Sequence, residues 1–247
     1  QGAVFEDVGS WRRARAFPHP GETLAQAVAR ECRAVRQAVG ILDASTLGKI
    51  EVVGPDAGLF LDRIYTGRFS TLSPGQCRYA LLLGEDGFVR DDGVIARLTL
   101  ERYHVTTTTG GAAATLHLME DYLQTEFPDL RVWLTSTTEH WGTISVQGPQ
   151  AARVLAPLAE GLAVAAMPPM AIREGRIAGS PARVARVSFS GEPGFEVNVP
   201  AGHVDRVWQA LLESGATPYG TEAMHVLRAE KGFVLVGQET DGTVTPD

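Results

Sequence analysis

Apolar residues along the chain alternate between two spacings. Leu24, Ala27, Val28, Val35 and Val39 recur at helical intervals, so residues 22–39 are expected to form an amphipathic helix that Gly40 stops. Lys49-Ile50-Glu51-Val52-Val53 then alternates as a half-buried strand does. Pro55 opens a short helix carrying Leu59, Phe60 and Ile64. From 79 to 109 the pattern is that of strands: 79–83, a Gly84-Glu85-Asp86-Gly87 hairpin, 88–90, 94–100 and 103–109. A helix is expected over 113–127, short strands over 132–134 and 143–146, and a helix from Pro149 to about 158. After a proline-containing connection, strands are expected at 171–177, 182–189 and 194–199, and helices at 204–212 and 221–231. Helices and antiparallel-looking strands mix without a strict β-α-β alternation, which places the chain in the α+β class.

Composition narrows this reading. The chain has 247 residues, 44% of them hydrophobic, enough for one large or two small domains. Its net charge of −7 argues against nucleic-acid partners, because holding phosphates requires a basic face. No apolar run approaches a membrane span and no leader is visible, so no membrane partner is expected. Two distant cysteines, Cys32 and Cys77, imply no disulfide framework, and a reducing cytoplasm is the expected compartment. The histidines fit no metal-ligand spacing, and no glycine-rich dinucleotide loop follows a strand. The chain opens without Met and stops just after Thr245-Pro246, and is expected to be part of a longer polypeptide.

Four places could carry chemistry, each with a plainer alternative. Asp91-Asp92-Gly93 interrupts an apolar strand pattern. It is either a bulge with solvated acids or a carboxylate set on a sheet to accept a proton. Because neighbours in a strand face opposite ways, at most one of the two lines a given cavity. Glu196 follows a small-residue loop, Ser188 to Gly194, and is either a solvent-facing acid or a ligand to a planar molecule that the loop lets approach. Thr106 to Thr109 with Gly110 and Gly111 either cap a helix or offer hydroxyls and N–H groups to a polar ligand. Arg228 pairs either with a ligand carboxylate or with a protein acid such as Glu222 or Glu230.

Taken in order, several segments resemble the aminomethyltransferase (glycine-cleavage T-protein) family. They are Glu31 with Ala34-Val35-Arg36, Gly40, Asp43 and Ser45; Tyr79 followed by Gly87-Phe88-Val89-Arg90-Asp91-Asp92; Gln147-Gly148-Pro149; Phe189 through Glu196; Leu227-Arg228; Gly237-Gln238-Glu239; and Thr245-Pro246. Asp43 to Lys49, the threonine-rich stretch 106–111 and Gly220 to Gly237 look more like the C-terminal part of the alpha subunit of heterotetrameric sarcosine oxidases. Met224-His225 and Thr107 depart from the glycine-cleavage pattern, and Phe189 replaces a tyrosine.

The resemblance implies a discontinuous folate-binding domain, 1–53 with 140–247, and an inserted α+β domain, 54–139; the family's C-terminal barrel is not within the chain. It implies tetrahydrofolate as cofactor, with no flavin, NAD or metal in this chain. Asp91 or Asp92 would be catalytic, and Tyr79, Glu196, Arg228, Phe189, Thr108 and Thr109 would hold the folate. The implied reaction passes a methylene unit from the iminium of oxidised sarcosine to tetrahydrofolate. The partners would be the rest of an alpha chain and the other oxidase subunits. A stand-alone aminomethyltransferase, a folate-dependent demethylase or a non-catalytic folate-binding adaptor are the alternatives.

Overall fold

The computed structural model describes residues 2–246. Gln1 and Asp247, the outer bounds of the expected first domain, lie outside the described residues. The first half of the chain runs β1 (Val4–Val8), β2 (Trp11–Ala16), α1 (Leu24–Gln37), β3 (Gly40–Asp43), β4 (Gly48–Val53), α2 (Ala57–Ile64), β5 (Gln76–Leu83), β6 (Val89–Thr99), β7 (Arg102–Thr107) and α3 (Ala112–Thr125). The second half runs β8 (Trp133–Ser136), β9 (Trp141–Gln147), α4 (Ala151–Leu155), β10 (Ala159–Glu160), β11 (Ile172–Ile177), β12 (Ser180–Ala185), β13 (Gly194–Pro200), α5 (Val204–Glu213), β14 (Thr217–Pro218) and α6 (Thr221–Lys231). The chain divides into two units. One takes the chain as far as Thr46, His140–Pro169 and Arg173–Val234; the other takes Leu47–Glu139, Met170–Ile172 and the chain from Leu235 onward.

The first unit holds a seven-stranded sheet in the order β10-β11-β12-β13-β9-β3-β14. β13 lies antiparallel to β12 and β9, β9 antiparallel to β3, and β14 parallel to β3. α1 starts where Thr23 and Gln26 cap each other: Gln26 N–H donates to Thr23 Oγ1 at 3.3 Å and Thr23 N–H to Gln26 Oε1 at 2.9 Å. Its inner stripe, Val28, Cys32 and Val35, packs with Leu42, Tyr219, Ala223, Met224 and Leu227, so α1 and α6 share one core. The buried Glu31 joins distant parts of the unit. Its carboxylate accepts from Phe17 N–H at 2.7 Å and Gly220 N–H at 2.9 Å, pinning the end of β2 and the start of α6 to α1.

The second unit is a five-stranded sheet in the order β5-β6-β7-β4-β8, antiparallel throughout. One face packs with α2 and α3 around Ile50, Val52, Phe60, Leu61, Ile95, Tyr103, Val105 and Met119. β4 is hydrogen-bonded between β7 and β8, so the expected boundary after Val53 moves back to about Leu47. The interior of this sheet needs β4's Ile50 and Val52, and that requirement fixes its membership.

A second correction concerns 88–100. The sequence pattern broke at Asp91-Asp92-Gly93, but β6 runs through without interruption. A bulge lies just before: Leu82 pairs with Asp91 and Leu83 with Val89, leaving Arg90 extra. Gly93 has a separate cause. A Cβ there would come within 1.8 Å of Thr106 O, so β6 and β7 approach too closely for any side chain.

Candidate functional site

β6 gives its two neighbouring aspartates opposite fates. Asp91 points into the second unit, 2% exposed, and its carboxylate accepts from Thr108 N–H at 3.3 Å and Thr115 Oγ1–H at 3.0 Å. Thr108 Oγ1 in turn accepts from Gly111 N–H at 3.0 Å. A Cβ at Gly111 would come within 2.3 Å of Asp91 Oδ2, so glycine is what lets the start of α3 close over this carboxylate. Burial pushes the Asp91 carboxyl up, and the bonds from Thr108 and Thr115 oppose the shift. Asp91 is thus engaged as an anchor for α3 and the threonine-rich turn.

Asp92 takes the other face. Tyr79 on β5 is diagonal to it across the strand pair, and the tyrosine hydroxyl donates to Asp92 Oδ2 at 2.7 Å. Burial raises the Asp92 carboxyl, the Tyr79 bond pulls it down, and the charge of Asp91 raises it again. Tyr79 itself is 50% exposed, so the pair can be reached from solvent. The result is a partly desolvated carboxylate, held by one phenol and open on another side: a proton acceptor of raised basicity. Tyr79 and Asp92 therefore form one bonded pair, and Asp91 with Thr108 and Thr115 a second set on the opposite face of the strand; Thr109 follows Thr108 on the same turn.

In the first unit Glu196 lies on β13 opposite Ser145 of β9, half-buried. A row of buried polar side chains shares its face. Thr143 Oγ1–H donates to Asn198 Oδ1 at 2.7 Å, Gln147 Nε2–H to Ser145 Oγ at 2.8 Å, and Ser190 Oγ–H to Gln147 Oε1 at 3.0 Å. The buried Tyr219 hydroxyl also reaches Ser145, and its acidity is suppressed first by burial. Polar groups spent on one another in this way leave Glu196 on a structured, rigid polar face.

Phe189, half-buried, stacks on Phe233 with ring centroids 6.1 Å apart. Arg228 is buried on α6 and its Nη1–H donates to Phe233 O at 3.0 Å, so it holds the turn after the helix. Glu196, Phe189 and Arg228 thus belong to the first unit and the Tyr79–Asp92 group to the second.

The sequence reading passed over one organising residue. Arg36 on α1 donates to Ser190 O at 2.7 Å, Glu192 Oε1 at 3.0 Å, Leu227 O at 3.0 Å and Glu230 Oε2 at 2.7 Å. It fastens the 188–194 loop, which carries Phe189, to the helix that carries Arg228. Its only sequence signal was its place in the Ala34-Val35-Arg36 motif. Thr115 was missed for a similar reason: a threonine inside an amphipathic helix carries no mark of a buried partner. Among the described residues no three His, Cys, Asp or Glu side chains converge as metal ligands, and no helix is long and apolar enough to cross a membrane.

Residues 1–247 match the model of the GCVT N-terminal domain, and the chain belongs to that family. Within it, the chain is 52% identical to a sarcosine oxidase subunit alpha of Corynebacterium sp. (strain P-1), over 100% of this chain and 26% of that protein. It is 33% identical to an aminomethyltransferase of Corynebacterium aurimucosum, over 99% of this chain and 65% of that protein. Among solved structures, the glycine cleavage system aminomethyltransferase T of Bartonella henselae superposes with a TM-score of 0.87 at 28% identity, covering 99% of this chain and 63% of that one. The α+β fold expected from the sequence is therefore that of the aminomethyltransferases. The chain spans about a quarter of the length of the sarcosine oxidase subunits it resembles.

Proposed function

We propose that this chain is the folate-dependent one-carbon transfer module of a sarcosine oxidase alpha subunit, working with the rest of that chain and the other oxidase subunits. The observation that carries the reading is the Tyr79–Asp92 pair: a desolvated, reachable carboxylate on a strand whose other aspartate is fully engaged. The substrates would be tetrahydrofolate and the iminium CH2=NH+–CH2–COO− made by sarcosine oxidation.

Tetrahydrofolate supplies two nucleophilic amines, and the products are 5,10-methylenetetrahydrofolate and glycine. The carbon–nitrogen bond of the iminium is lost to glycine, and two new carbon–nitrogen bonds form to the folate. Both protons shed by the folate amines leave on glycine, whose nitrogen departs as NH3+. Asp92 takes those protons and passes them to the leaving nitrogen, and its negative charge stabilises the cationic carbon. Tyr79 fixes the carboxylate's orientation and bounds its basicity. Glu196 accepts from the pterin ring N–H and amino group in a two-bond match, on the rigid face that Ser145 and Gln147 provide. Phe189 and Arg228 shape the surface beside it, and Thr108 and Thr109, on the turn that Asp91 anchors, are also assigned to the folate.

Calorimetric titration with folinic acid tests the binding half. Micromolar affinity that falls roughly 10- to 100-fold in Glu196→Gln is expected from the loss of a charge-assisted bond. Equal affinity in the variant, or no binding by the parent chain, would overturn the assignment.

A further inference from the structure

We propose that Arg13 and His225 form a carboxylate-binding subsite on the first unit, where the β1–β2 hairpin meets α6. Three contacts hold the hairpin against the helix. Thr221 Oγ1–H donates to Glu6 Oε1 at 2.6 Å, Arg15 pairs with Glu222 at 2.6 Å, and Glu31 ties Phe17 N–H to Gly220 N–H. His225 comes three residues after Glu222 and four after Thr221, so it shares the helix face that carries both contacts. Arg13 stands directly opposite Glu6 in the hairpin register. The docking thus places a guanidinium beside an imidazole.

Neither group is spent within the protein. The flanking arginines each hold a carboxylate, Arg12 with Asp7 at 3.3 Å and Arg15 with Glu222 at 2.6 Å. Among the described residues Arg13 has no carboxylate within ion-pair distance. Its Nε is sheltered from water without a hydrogen-bond partner, and so is Nδ1 of His225. The nearby acids are committed elsewhere: Glu6 accepts from Thr221, and Asp43 accepts from Ser45 N–H at 2.9 Å. Glu6 and Asp43 therefore act on Arg13 through their field alone. A sheltered guanidinium without a bonded partner is costly, and a bidentate carboxylate answers its geometry. Arg13 and His225 are both only half-buried, so a small anion reaches them.

The charges facing His225 are Arg13, Arg228, Glu6 and Glu222. Burial lowers the imidazole's pKa most, and Arg228 and Arg13 lower it further against Glu6 and Glu222. A carboxylate arriving at Arg13 offsets that repulsion and draws a proton onto His225, which then donates a second bond. Two sources carry this group: a small amino acid and the glutamate tail of a folate. The amino-acid source rests on the transfer reading above, in which glycine is the departing half; the anion subsite does not.

The test follows the ring nitrogens of His225 by NMR in the 15N-labelled chain as glycine, folinic acid or 5-formyltetrahydropteroate, which lacks the glutamate, is added. A saturating shift of Nδ1 toward its protonated form is expected, weakened about tenfold or more in Arg13→Gln. Calorimetry of His225→Gln should lose the proton uptake seen with the parent chain. A response to glycine identifies the amino-acid source; a response to folinic acid but not to the pteroate identifies the tail. No shift with any of the three ligands, or an undiminished shift in Arg13→Gln, overturns the proposal. A glycine response without folinic acid binding would leave the subsite standing and remove the transferase reading alone.

Discussion

Replacing Arg36 by alanine removes a clamp whose strength can be worked from its contacts. Two backbone carbonyls, Ser190 O and Leu227 O, lose a charged donor. Bonds to charged groups contribute about 1.5–3 kcal/mol each when enclosed, and the 27% exposed side chain argues for the lower end. The ion pairs with Glu192 and Glu230, 25% and 57% exposed, are still in reach of solvent and add roughly 0–1 kcal/mol each. The sum is about 3–5 kcal/mol, which at ~2–4 °C per kcal/mol lowers Tm by roughly 10 °C. Arg36→Lys keeps the charge but loses the planar fork that reaches carbonyls on two different segments, so less than half of the loss should be recovered. Differential scanning calorimetry of the two variants measures this directly. Folinic acid affinity should fall in both, because the 188–194 loop is released. An alanine variant melting within about 2 °C of the parent, or a lysine variant indistinguishable from it, would refute the clamp.

The two aspartates should part company under mutation. Asp92→Asn is expected to leave the fold intact while glycine release from the transfer reaction drops roughly 10²- to 10⁴-fold. Because burial raises the Asp92 carboxyl, folding favours its protonated form. The parent chain then loses stability as pH rises through that folded-state pKa, a loss that denaturation of Asp92→Asn across pH should not show. Asp91→Ala should do the reverse, lowering the unfolding free energy measured by denaturant titration by ~2–4 kcal/mol because Thr115 Oγ1–H and Thr108 N–H are left without an acceptor. Tyr79→Phe removes the bond that holds the Asp92 pKa down, so the acid limb of the pH–rate profile should move to higher pH; a limb that stays put or moves lower counts against the pairing. Gly93→Ala places a methyl 1.8 Å from Thr106 O and should cost soluble expression. A variant with the parent's circular dichroism and melting curve would show that β6 and β7 can part.

Periodicity carried most of the elements. The helices on the Leu24 and Thr221 segments and the strands of the second unit's sheet other than β6 lie on the segments where apolar spacing puts them. The N-terminal hairpin escaped because Trp11-Arg12-Arg13-Ala14-Arg15 has no alternation to read: Arg12 pairs with Asp7 within the hairpin and Arg15 with Glu222 of α6, so the charged positions do not mark one solvent face. The apparent break at Asp91-Asp92-Gly93 misled for a related reason. Two of those residues are polar because they have partners or access, and the third is glycine because of a backbone across the sheet. None of the three signals a turn. Sequence alternation did foretell that the aspartates face apart, but choosing between them needed Thr115 and Tyr79, which lie 24 and 13 residues away.

The first unit is threaded through the chain in separate pieces, and this has a consequence for its biosynthesis. On a ribosome the strand Gly40–Asp43 emerges about a hundred residues before its sheet partner Trp141–Gln147, and Glu31 waits still longer for Gly220. Between them comes nearly all of the second unit, whose five strands and two helices pair among themselves. Vectorial synthesis therefore lets the inserted unit mature while the segment before it has the local contacts of the β1–β2 hairpin and α1, and none yet to β9 or α6. Closure of the outer sheet is a late event, sealed when α6 leaves the exit tunnel.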